Sequence, residues 1–315
     1  MSTRALPSIR PLYRKLQHLQ FVLISLLLSS TAWADASLLE RYHKLKNGLS
    51  STLPGTHISL TSSEQSKELS AEVSSILHHP FEMVAGALAE VESWCQFMPL
   101  HFNIKACTNE TRNGEDFLTL YSGRKSYQSP EDSYKMDYRY KIIQHDEKQL
   151  SLRLNAEQGP ANTHDYRIEI DALRVEEGTV LRIYSAYQPS LLSSILTRGY
   201  LTTLGRDKVG FSRIEQDGES HLVQGIRGII ERNVMRYHLA IDTFLSTQAL
   251  PETTRHKAAL ASWFRQNDGY HQQLHEMEQA DYLKIKHREW NNQQRLQQAL
   301  NERIHLAAIP RIKKR

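Results

Sequence analysis

The sequence predicts an α+β fold: an antiparallel sheet, then one long helix, then a helical C-terminal extension. Three observations lead there. Apolar and polar side chains alternate strictly through residues 134–172, short polar or Gly/Pro segments separate the alternating runs, and helical spacing takes over from about Leu222. With 315 residues, 40% of them apolar and 23% charged, the chain can bury a sizeable core, and disordered or collagen-like readings are excluded.

The N-terminus has the order of a secretory signal. Arg10, Arg14 and Lys15 precede the apolar run Phe21 to Leu28, and Ala32-Trp33-Ala34 supplies the small-x-small site. That run is about half the roughly 20 residues needed to span a bilayer. Cleavage after Ala34 is expected, giving residues 1–34 as signal peptide and a periplasmic mature protein with no transmembrane segment. Removing Arg4, Arg10, Arg14 and Lys15 from 39 basic residues leaves 35 against 35 acidic ones, so the formal charge of +4 vanishes. A nucleic-acid partner is therefore not expected.

Residues 35–56 predict a short helix and linker, with Leu38, Leu39, Tyr42 and Leu45 at helical spacing. His57 to Glu64 and Leu69 to Leu77 then pattern as paired strands. Pro80 suits the first turn of a helix carrying Phe81, Val84, Ala85 and Leu88 and running to about Trp94. Cys95 and Cys107, the two cysteines of the chain, are expected to form a disulfide in an oxidising compartment; no Cys/His spacing supports a metal site.

Three alternating runs follow. Met136, Tyr138 and Tyr140 share a face with Tyr134 and Ile142; Leu150, Leu152 and Leu154 share another; Tyr166, Ile168, Ile170 and Ala172 share a third. Each suits a strand with one buried and one wet face. A helix is expected over Ser190 to Leu204, a strand over Lys208 to Glu215, and a long helix over Leu222 to Ser246. On that helix Ile226, Ile230, Asn233, Tyr237, Ile241 and Phe244 form one stripe. Glu231 and Arg227 fall off the stripe, which suggests an exposed ion pair on the helix back. Beyond Pro251 the chain has few aliphatic residues and no strand pattern. Residues 251–315 read as two polar helices, an appendage separable from a body spanning 57–250 and suited to a protein partner, ending in a solvated basic tail.

The order of elements, with Pro80-Phe81-Glu82-x-Val84 opening the first helix, Trp94 at its end and the long helix bearing Arg227 to Leu245, resembles the START-like, helix-grip superfamily. Its members include lipid-transfer START domains, birch-pollen-allergen-like proteins and polyketide cyclases. The resemblance covers residues 57–247, about 60% of the chain. It implies a sheet curled around the long helix, with a cavity between them for an apolar ligand.

On that reading the ligand-facing residues are Ile230, Asn233 and Tyr237 from the helix and Met136, Tyr138 and Tyr140 from the sheet; alternatively these residues simply fill a core. Asn233 is either a satisfied core amide or the group that orients a ligand head. His271 and His275, four apart and with no third ligand nearby in sequence, read as surface histidines. No P-loop, G-x-G-x-x-G, G-x-S-x-G or H-E-x-x-H motif is present, and no acid and base can be paired, so neither catalytic residues nor a cofactor are assigned. Three functional classes remain: a binding or shuttle protein for an apolar, lipid-like molecule, a ligand-free interaction or assembly protein of the cell envelope, and a cyclase- or hydrolase-type enzyme.

Overall fold

The computed structural model describes residues 37–308, apart from 49–50, 54–55, 66, 203–207 and 217. The expected signal peptide, its cleavage site, the Gly205-Arg206-Asp207 segment and the basic C-terminal tail lie outside the described residues.

Eight antiparallel strands form one sheet in the order β1-β2-β8-β7-β6-β5-β4-β3. They are β1 Ile58–Gln65, β2 Glu68–Leu77, β3 Ile104–Arg112, β4 Glu115–Ser122, β5 Tyr134–His145, β6 Gln149–Gln158, β7 His164–Val175 and β8 Gly178–Gln188. Consecutive strands from β3 to β8 are joined as hairpins, and β2 closes back on β8 with Val73 opposite Ile183. The apolar sets land in register: Leu154 faces Ile168 and Leu152 faces Ile170. Because side chains alternate with period two, this one register turns every such residue to the same side.

Helix α1 (residues 37–46) lies on the outer face, where Leu38, Tyr42 and Leu45 join Ile76, Leu173 and Val180 in a small second core. The inner face carries the main core. The helix expected after Pro80 is two helices, α2 Phe81–Ala89 and α3 Val91–Phe97, broken at Glu90, whose backbone is extended. Helix α4 (Leu191–Thr202) follows β8. The strand expected over Lys208 to Glu215 is a small hairpin of β9 (Arg213–Gln216) and β10 (Glu219–Leu222), which takes Leu222 out of the long helix. That helix, α5 (Gly225–Thr247), lies in the concavity of the sheet, packed on β1, β2 and β8.

The extension does not pack as an appendage. It comprises α6 (Glu252–Asp268), α7 (His271–Leu274) and α8 (Gln279–Ala308), the last two separated where the sequence suggested one helix. Ala259, Leu260, Trp263, Phe264, Leu274 and Tyr282 are buried in the main core. Rings of Phe102, Trp263 and Tyr282 pack at centroid distances of 5.1 to 5.5 Å. A sequence short of aliphatic residues still buries itself here through large aromatic ones, which offer more apolar area per residue. Cys95 and Cys107 are disulfide-bonded, their Cα atoms 5.0 Å apart, and so tie α3 to β3.

Candidate functional site

The residues expected to face a ligand are distributed around the main core, and α5 itself packs on β1, β2 and β8. Ile230, Ile241 and Phe244 on α5 and Met136, Tyr138 and Tyr140 on β5 are buried, while Asn233 and Tyr237 are half-buried. Their chemistry differs from residue to residue. The Tyr140 hydroxyl donates to the Leu88 carbonyl at 2.7 Å and its ring packs edge-on to Trp94, so it is a satisfied core group.

Tyr138 instead belongs to a tyrosine cluster at the end of the sheet nearest α4. Its ring meets Tyr166 edge-on at 6.4 Å, and Tyr166 stacks on Tyr187 at 5.0 Å. Tyr237 faces the same cluster from α5 and stacks on His101 at 5.0 Å. Burial pushes the phenol pKa values of Tyr138, Tyr187 and Tyr237 upward, so all three stay neutral donors. The Tyr166 hydroxyl pairs with Thr163 at 2.7 Å. The hydroxyls of Tyr138, Tyr187 and Tyr237 have no hydrogen-bond partner among the described residues.

His101 completes the polar end. Its Nδ1 accepts the Asn103 amide at 3.1 Å, while its buried Nε2 has no partner of good geometry. Burial, reinforced by the charges of Arg236 and Lys286, holds the imidazole well below its usual pKa; the neighbouring Asn233 amide pulls the other way. Neither His101 nor the inward Tyr166 and Tyr187 stood out as site residues in sequence. His101 lies in a turn without periodicity, and the tyrosines looked like ordinary strand positions.

Of these groups, Tyr237 borders a small cavity. An apolar cavity of about 10 Å³ lies among Trp94, Met98, Ile170, Ile183, Tyr237 and Ile241. That is about one water molecule's worth of probe space, not the ligand-sized chamber the resemblance implies. A much larger open groove, about 970 Å³, crosses the rim of the sheet beside Tyr166, and Lys135, Asp137, Arg139, Glu157 and Arg167 make it polar.

Helix α4 overhangs this rim. The Ser190 hydroxyl bonds the Ala161 carbonyl at 2.6 Å, fixing the start of α4 to the turn after β6. That same turn lies against Tyr166: a Cβ on Gly159 would come within 2.3 Å of its ring. Leu191, Leu192, Ile195 and Leu196 nevertheless point outward, Leu191 with 86% of its surface exposed. Four neighbouring exposed aliphatic side chains on one short helix are an unusual solvent face.

One sequence expectation is overturned here. Glu231 is not an exposed partner of Arg227 but fully buried, accepting from the Phe211 and Ser212 amides at 2.7 and 3.0 Å and from the Ser62 hydroxyl at 2.6 Å. Arg227 bonds Ser62 instead, its guanidinium donating to the Ser62 carbonyl at 2.8 Å. The helix back is covered by the 209–212 segment, so an off-stripe position is not a solvent position. His271 and His275 lie at the surface as the sequence suggested, and Asp268, three residues before His271, stands within reach of both.

No protein-family description and no curated protein matches the chain. Solved structures do. It is similar to TTHA0849 from Thermus thermophilus (15% identity, 58% of this chain and 99% of that one, TM-score 0.37). It is also similar to Ara h 8.0201 (11%, 57% and 99%, TM-score 0.34) and to CalU16 from Micromonospora echinospora (11%, 67% and 97%, TM-score 0.31). Likeness at this level carries no functional argument.

Proposed function

We propose that this chain is a periplasmic binding or shuttle protein for an apolar, lipid-like molecule, a member of the START-like superfamily whose ligand seats its polar end among Tyr138, Tyr187, Tyr237 and Asn233. One observation carries the reading: Tyr138, Tyr187 and Tyr237, whose hydroxyls make no hydrogen bond to the described residues, gather around Tyr166 at one end of the grip. None of the three hydroxyls is a buried atom without a partner, so solvent reaches them, and a ligand head group would take the place of that water. Apolar α4 beside that end supplies a doorway and a greasy outer surface for exchange. With an enclosed space of about 10 Å³, the form described here is a closed one, and loading requires α4 and the rim to move outward.

The test is uptake. Protein purified from the periplasm under native conditions is analysed by mass spectrometry for a co-purifying lipid, and titrated with a fluorescent fatty acid. Tyr237→Phe and Asn233→Leu should weaken or alter uptake while leaving the circular dichroism spectrum unchanged. Absence of any bound lipid and of probe uptake removes the reading.

The exposed aliphatic face of α4 favours a second reading, a ligand-free interaction protein of the envelope that binds through this face. It predicts no probe uptake, together with loss of a self- or partner-association when Leu191 and Ile195 are replaced by Ser.

A further inference from the structure

We propose that Asp268, His271 and His275 form a binding site for one divalent transition-metal ion of the zinc class. The Nδ1 atoms of both histidines lie 3.0 and 3.1 Å from the same oxygen, Oδ1 of Asp268. One ligand atom from each residue fits within a 4.8 Å span, and this is the one such group of three among the described residues. Two ligands bound tetrahedrally to zinc at about 2.0 to 2.1 Å stand roughly 3.3 Å apart, so the carboxylate–imidazole spacings already approach those of a shared ion. The donor set selects the metal. Two imidazole nitrogens and one carboxylate suit zinc, cobalt, nickel or copper, whereas calcium and magnesium call for oxygen ligands throughout.

Local folding holds the three side chains together. Asp268 is the last residue of α6, Gly269 and Tyr270 turn the chain, and the four-residue α7 places His271 a turn before His275. The turn is anchored from inside by fully buried Leu274 and by the Tyr270 ring packed edge-on against Phe211 at 5.6 Å. On the far side the Lys208 ammonium donates to the His275 carbonyl at 2.6 Å. The two imidazole rings lie 4.1 Å apart. A framework fixed by buried contacts, with both imidazole Nδ1 atoms already gathered on one carboxylate oxygen near the surface, lowers the ordering cost of ligation. Asp268 and His271 are exposed, which leaves the fourth coordination position open to water or to a ligand from another molecule.

The experiment uses the mature chain without an affinity tag, stripped with EDTA. Titration with Co²⁺, followed by its visible d–d absorption, and with Zn²⁺ by calorimetry should each show one saturable equivalent per chain. Mg²⁺ and Ca²⁺ should show none. His271→Ala and His275→Ala should each weaken binding by about tenfold or more. The remote, exposed His145→Ala should leave it unchanged, and circular dichroism checks that each variant is folded. Lack of saturable Co²⁺ and Zn²⁺ binding, or binding that survives in the His271→Ala/His275→Ala double variant, overturns the assignment.

Discussion

Glu231 illustrates how a single residue decides local structure. Its carboxylate takes up two backbone amides of the 209–212 segment and two serine hydroxyls, Ser62 and Ser212, so one charge binds β1, α5 and the strand-like segment before β9. The segment approaches so closely that a Cβ on Gly210 would sit 2.4 Å from the Glu231 carboxylate. Replacing Glu231 by Ala leaves those donors buried without acceptors at about 1 to 3 kcal/mol each, and a total loss of about 3 kcal/mol or more is expected in urea unfolding. His256 makes stability depend on pH. It stacks on Trp290 at 3.9 Å, and burial, aided by the positive charge of neighbouring side chains, lowers its pKa from 6.5 to about 4. Above pH 6.5 both folded and unfolded chains carry the neutral ring. As pH falls from there towards 4, only the unfolded chain takes up the proton, so stability drops across that window by about 2 kcal/mol. His101, whose pKa is also depressed by burial, acts in the same direction. Unfolding curves collected between pH 7 and 4 should flatten for His256→Phe, which keeps the stacking and removes the titration.

Among the elements, α8 does the least expected work. Strand β3 ends the sheet, and an uncovered edge of this kind invites pairing with another chain. The Gln293 side chain accepts the Cys107 amide at 2.8 Å and donates to the Cys95 carbonyl at 2.8 Å. One turn later Gln297 accepts the Asn109 amide and donates to the Asn109 carbonyl, both at 2.9 Å. Two glutamines four residues apart thus imitate a further strand. Between α8 and the same edge lies a buried charge group, with Lys286 and Lys105 each 2.9 Å from the Glu289 carboxylate. Both ammonium groups also donate to backbone carbonyls, Lys286 to His101 and Ile104, Lys105 to Phe102. Burial brings the Lys286 pKa down to about 8 despite its acidic partner. For Gln293→Ala, a destabilisation of about 2 kcal/mol is expected from the unpaired Cys107 amide on β3 and Cys95 carbonyl on α3, with increased aggregation measured by light scattering. Unchanged stability and a monomeric profile would show that the edge is protected by something other than this side chain.

At the scale of the whole molecule, sheet, α5 and extension share one core. Trp263 on α6 is fully buried and donates its indole N–H to the Arg236 carbonyl on α5 at 3.1 Å; Tyr282 on α8 reaches the Leu100 carbonyl at 2.8 Å. Cutting the chain after Leu250 removes the aromatic lid over Phe102 and uncovers the β3 edge. Such a truncated protein is expected to be insoluble or to lack a cooperative melt, whereas a soluble fragment with a sharp transition would restore the separable body that the sequence suggested.

What the sequence by itself determined was the alternation and its consequence: which residues of β6 and β7 and of the middle of β5 face inward, that these strands join as hairpins, and that one long apolar-striped helix follows them, whereas Tyr134 and Ile142 at the ends of β5 are exposed. Those properties depend on periods of two and 3.6 residues, which are local and survive without knowledge of the partner surface. The tertiary structure alone decided what lies on the helix back and which tyrosine hydroxyls keep a partner. It also decided the fate of the extension. Each of these depends on which distant segment arrives at a given face, as when residues 209–212 cover Glu231 or α8 covers β3. A polar residue is exposed or buried according to the partner that reaches it, and no periodicity in its own segment encodes that partner.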